Sequence, residues 1–130
     1  MSPRTESAII FYDLEATGLN YFHQSITEIG AITQEGKTFQ TFVNPNMPIP
    51  PKITELTGIT DGMVANAPYI KEALTQFLTF ICNESKNKHI YLVTHNGNTY
   101  DHPFIKRYFN AFNMQTPAIT YFDTIPLSKL

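Results

Sequence analysis

The stretch Ala8-Ile9-Ile10-Phe11-Tyr12-Asp13-Leu14-Glu15-Ala16-Thr17-Gly18 decides how the rest of the chain is read. Its first five residues are apolar and β-forming, which predicts a mostly buried strand. The run continues into two acids placed two residues apart, and Thr17-Gly18 breaks it. A side-chain period of two puts Asp13 and Glu15 on one face. Neighbouring anions at the edge of an apolar core repel, and the repulsion is screened least there. Two resolutions stand open at this point: an ordinary strand end with both acids in water, or a hard divalent cation held between oxygen ligands.

Outward from this strand, residues 26–33 read as a second strand and residues 38–43 as a third. Gln34-Glu35-Gly36-Lys37 forms the tight turn between them, so the pair runs antiparallel. Residues 44–51 are rich in proline and predict a loop. Residues 52–57 read as a short helix stopped by Gly58, and Asp61 as the cap of one more turn through Val64. Residues 69–82 carry Ile70, Leu74, Phe77, Leu78 and Ile81 on one helical face. Residues 89–94 are a fourth strand. Residues 103–112 are a helix with Pro103 in its first turn and Phe104, Ile105, Tyr108 and Phe109 toward the core. Residues 118–122 are a fifth strand, with Asp123 as a cap for the segment beyond Thr124. The order predicts an α/β fold, a mixed sheet made of an antiparallel meander and then parallel strands, flanked by helices.

The 130 residues fit one domain, and 42% hydrophobic content supplies one real core. Formal net charge is −2, so bulk electrostatics does not make the chain a polyanion binder; metals or a local patch must supply that attraction. The single cysteine, Cys82, allows no internal disulfide. Its neighbours Phe77, Leu78, Phe80 and Ile81 predict a buried thiol. No secretory h-region and no apolar run of membrane-spanning length is present, so an intracellular protein without membrane partners is expected.

Asp101 changes the reading of the first two acids. It lies in Thr94-His95-Asn96-Gly97-Asn98-Thr99-Tyr100-Asp101, just past the fourth strand and opening a helix. With the first and fourth strands adjacent, Asp101 faces Asp13 and Glu15. A helix N-cap aspartate that satisfies free amides is the other reading, and the two are compatible.

These segments together resemble the DEDD (DnaQ-like) 3′→5′ exonucleases, the family of the polymerase proofreading subunit. Residues 11–19, Phe-Tyr-Asp-Leu-Glu-Ala-Thr-Gly-Leu, are similar to its first motif, and residues 26–32 to its second strand. Residues 51–67, with Ile53-Thr54-Glu55-Leu56-Thr57-Gly58, resemble the segment that closes over the 3′ end. His95-Asn96-Gly97 with Tyr100-Asp101 and Pro103 resembles the second motif in its TREX-type spacing, and Phe122-Asp123-Thr124 a later strand end. The resemblance implies an RNase H-like fold and two-metal hydrolysis of phosphodiesters at 3′ ends. Asp13 would bridge two Mg²⁺ or Mn²⁺ ions, roughly 3.5–4 Å apart in such sites. Glu15 would serve the water-activating ion and Asp101 the other. Ala16, Leu19, Leu56 and Tyr100 would contact the terminal nucleotides of single-stranded or frayed DNA or RNA, by contacts tolerant of sequence. For Leu56 and Tyr100, plain core packing is the competing reading.

The same resemblance calls for a fourth carboxylate five residues after a histidine that acts as general base. The histidines are His23, His89, His95 and His102; only His23 has an acid five residues later, Glu28, and that pair lies ahead of the second motif rather than well after it. The third motif is therefore expected to be missing from these residues, the domain C-terminally incomplete, and its completion to come from a downstream segment or partner chain. Asp123 is expected as a strand-end cap, His102 as a surface residue and His95 as structural. The alternative function is a catalytically deficient module that binds nucleic-acid ends or protein through the same groove.

Overall fold

In the computed structural model, residues 7–18, 20, 23–95 and 100–124 are described. Strand β1 (Ser7–Ala16) is the centre of a five-stranded sheet with the order β3-β2-β1-β4-β5. The turn after β2 (Ile26–Thr33) uses Gly36 at φ +97° and a backbone bond from Thr33 to the Lys37 carbonyl. It folds β3 (Thr38–Phe42) back antiparallel on β2, which itself is antiparallel to β1. Then α3 (Ile70–Ser85) and α4 (Asp101–Ala111) cross over. They return β4 (His89–Thr94) parallel to β1 and β5 (Ile119–Asp123) parallel to β4.

One face of the sheet is the core face. Ile10, Tyr12 and Leu14 alternate inward along β1 and meet Leu74, Phe77 and Ile81 of α3 and Phe104, Ile105 and Phe109 of α4. The intervening side chains of β1 point the other way: Ile9, Phe11, Asp13 and Glu15 share the opposite face. A second, smaller apolar cluster of Ile49, Ile59 and Val64 holds α1 (Pro51–Thr57) and α2 (Asp61–Val64) as a separate cap. Gly58 ends α1 in the left-handed region at φ +78°, its amide donating to the Thr54 carbonyl. Among the described residues no helix is long and apolar enough to cross a membrane.

Three expectations are corrected. Cys82 is exposed, not buried, because it sits about 100° around the helix from Ile81, off the inward stripe. Thr60, not Asp61, caps α2, and Asp61 accepts a hydrogen bond from the Ile49 amide at 2.9 Å. His102, expected on the surface, is 2% exposed.

Candidate active site

Strand β1 carries two of the three acids. Asp13 is paired with Gly30 of β2, so no side chain crowds it from that strand, whereas Glu15 stands opposite Glu28. The pairing register shifts between Glu15 and Ala16, which bends the end of β1. Beyond it the buried Thr17 fixes the returning chain. Its hydroxyl donates to the Gln24 side chain at 2.7 Å and accepts from the Ser25 amide at 3.0 Å. Gly18 lies against Gln24, where a Cβ would come within 2.9 Å of the amide carbon.

The third acid arrives from α4. Asp101 is the first residue of that helix, and Tyr100 holds the cap position with no side-chain capping bond. The Asp101 carboxylate turns instead to the sheet, accepting from the Leu14 amide and the Thr94 hydroxyl, both at 3.2 Å. These partners discard the helix-cap reading of Asp101. They also follow from the topology: β1 and β4 are parallel neighbours, so the ends that carry Leu14 and Thr94 lie at the same edge of the sheet.

Electrostatics records the crowding. Burial pushes the Asp101 carboxyl up, to about 7, and the Asp13 charge adds to it; the bonds from Leu14 and Thr94 oppose the shift. Asp101 is 7% exposed, and the neighbouring Asp13 carboxyl favours its protonated form. Burial likewise raises Glu15, helped by the charges of Asp13 and Glu28. Among the described residues no three His, Cys, Asp or Glu side chains are already gathered as a ligand cage. The donor set nonetheless suits a hard divalent ion: carboxylate oxygens only, mutually repelling, and partly desolvated.

All three acids line one cavity of about 360 Å³. Its far wall is α1, which presents Ile53, Leu56 and Thr57, and its rim includes Ala16, His95 and Tyr100. Leu56 is 74% exposed, so the core-packing reading fails for it. Leu19 lies outside the described residues. His95 is exposed and its Nδ1 lies 3.1 Å from the Thr124 hydroxyl. Asp123 is buried at the end of β5, on the face opposite Phe122 and so away from Asp13 and Glu15. The segment it was expected to cap lies outside the described residues.

Sequence reasoning missed one residue beside the site. His102 has Ile105 three residues on and Phe109 seven residues on, both buried, which places it on the inward stripe of α4. That spacing was the available signal.

A model of a family described as "Exonuclease" matches residues 10–130. The chain belongs to this exonuclease family. Curated relatives include the PolC-type DNA polymerase III of Caldanaerobacter subterraneus subsp. tengcongensis, 41% identical over 128 residues. That match covers 95% of this chain and 9% of the relative. Exonuclease DPD1 of Arabidopsis thaliana is 34% identical over 130 residues, covering 93% of the chain and 40% of that protein. The chain thus spans less than half the length of these relatives. Among solved structures, exonuclease I in its apo form superposes with a TM-score of 0.74 at 16% identity, over 95% of this chain and 30% of that one. E. coli exonuclease I in complex with a dA16 oligonucleotide gives 0.75 at 17%, over 95% and 29%. The RNase H-like exonuclease fold is therefore that of this chain, and divalent metals serve this family generally.

Proposed function

We propose that this chain is the metal-holding part of a 3′→5′ exonuclease acting on the 3′ ends of DNA or RNA. The observation that carries the reading is that Asp101 lines the same cavity as Asp13 and Glu15, from a separate part of the chain. A buried carboxylate beside a second anion, as Asp101 is beside the exposed Asp13, is costly unless a cation or a proton neutralises it. Asp13, Glu15 and Asp101 would hold Mg²⁺ or Mn²⁺, two ions in a complete site. The chemistry such ions supply is stabilisation of the attacking and leaving oxygens of phosphodiester hydrolysis. They would also bring the positive charge that a chain of net charge −2 lacks.

The chain's own groups bind and orient. Leu56 projects from α1 across the cavity from the acids, placed to wedge or stack against a terminal base. Tyr100 and the backbone at Ala16, with Leu19 beyond the described residues, would complete the contacts to the last nucleotides. A fourth carboxylate and a general base are not supplied by the acids and histidines of the described site: Asp123 faces away, and His102 is enclosed in the core. A further segment or partner chain would supply them, making these residues one part of a domain; an intracellular place accords with such substrates.

A second reading rests on that same observation: a module that binds 3′ ends without cleaving them. Incubating the chain with a 3′-labelled single-stranded oligonucleotide and Mn²⁺ separates the two. Release of labelled mononucleotide, abolished by Asp13→Ala, supports the nuclease. Metal-dependent binding with the label retained supports the module. Neither binding nor release by the wild-type chain overturns both.

A further inference from the structure

Directly behind the acids, two buried side chains with polar groups are bonded in series. The Tyr12 hydroxyl lies 2.7 Å from Nδ1 of His102, and Nε2 of His102 lies 3.2 Å from the Phe122 carbonyl oxygen. A carbonyl only accepts, so Nε2 carries the proton and Nδ1 accepts from the tyrosine. Tyr12 and His102 are both enclosed, and the Tyr121 ring closes on the imidazole edge-on at a centroid distance of 5.0 Å. The series joins β1, α4 and β5. Each side-chain member also adjoins an acid in sequence: Tyr12 precedes Asp13, and His102 follows Asp101.

Stability does not require this arrangement. Burying a hydroxyl and an imidazole is costly unless both are bonded, and an apolar pair of similar shape in their place is close to neutral. What hydrogen bonds add to a core is direction: apolar surfaces pack in several rotations, whereas a donor aimed at one nitrogen accepts one. Here that direction fixes the first turn of α4 against the end of β1. The turn carries Asp101, and the strand end carries Asp13.

We propose that Tyr12 and His102 are positioning residues, a polar clamp that sets Asp101 against Asp13 for a shared divalent cation. The clamp rests on the metal-binding reading above. Neither residue lines the cavity, so their effect on the acids is transmitted through the backbone.

The test compares Tyr12→Phe, His102→Phe and the double variant by thermal unfolding and by calorimetric titration with Mn²⁺, alongside Asp13→Ala. The single variants leave one polar group unmatched and are expected to lower Tm. The double variant is expected to regain most of that loss while binding Mn²⁺ at least about tenfold more weakly than wild type, the usual effect of losing an outer support of metal ligands. Recovery of both Tm and wild-type Mn²⁺ affinity in the double variant overturns the clamp, leaving the pair a packing feature. Should the double variant be unstable, Tyr12→Phe removes a single oxygen atom and gives the same decision: unchanged Mn²⁺ affinity overturns the proposal. Wild-type uptake that Asp13→Ala leaves intact overturns the metal-binding reading itself, and the clamp with it.

Discussion

Asp101 concentrates the chemistry of the site, and its environment has a thermodynamic sign. Its carboxyl is raised to about 7 in the fold, so the folded chain holds that proton more firmly than the unfolded chain. The stability this contributes is present below the ordinary carboxylate range and is lost as pH rises through 7. In metal-free buffer the chain should lose on the order of 2–4 kcal/mol between about pH 4 and pH 7 from this group. Asp101→Asn keeps an oxygen for the Leu14 amide and Thr94 hydroxyl while removing the charge. Urea unfolding should therefore show a flatter pH profile and a more stable protein at pH 8, together with weaker divalent binding. At the cavity's other wall, Leu56→Ala should leave stability within about 0.5 kcal/mol, as expected of an exposed side chain. The same change should weaken single-stranded oligonucleotide binding about tenfold, the lower end of what one stacking contact provides. Fluorescence anisotropy against unfolding curves checks the split. The identities of Asp13, Glu15 and Asp101 were legible from spacing and order, but the destination of each carboxylate was not. The bonds from Leu14 and Thr94 exist only because two strands distant in sequence lie parallel.

At the scale of elements, the strands were legible because a half-buried strand advertises itself. Residues 26–33 and 89–94 were read with the boundaries that the structure gives. Helix faces were read less well, since neighbours in sequence are not neighbours on a helix. Cys82 follows Ile81 in the chain yet points to solvent, while His102, polar and beside an acid, belongs to the inward stripe with Ile105 and Phe109. The end of β1 extends through both acids to Ala16, because β2 pairs with it that far. The cap formed by α1 and α2 carries its own small core, joined to the sheet through Phe42 of β3. Gly58 is its weak point: the residue holds a left-handed conformation with open space where a Cβ would sit. Gly58→Ala should cost about 1 kcal/mol through backbone strain alone, and Gly58→Asn less. Denaturant midpoints of the two variants check the order.

At the scale of the whole molecule, the described residues cover one face of the sheet and leave part of the other bare. Ile9, Phe11, Tyr91, Val93 and Phe122 form an apolar surface beside the acids, with Phe11 44% and Phe122 43% exposed. Such a patch marks a surface that meets other matter. An environment-sensitive dye should bind it, and Phe11→Gln combined with Phe122→Gln should remove most of the signal with little change in Tm. Composition had already placed the burden of charge on metal ions or a local patch, since net charge of −2 gives the chain no general hold on a polyanion. The sharpest measurement is therefore a calorimetric titration of Mn²⁺ into the metal-free chain at pH 8, wild type beside Asp13→Ala. Saturable uptake by the wild type that disappears in the variant is the expected result; heats of dilution from both, or equal uptake by both, would mean that these acids do not hold a metal.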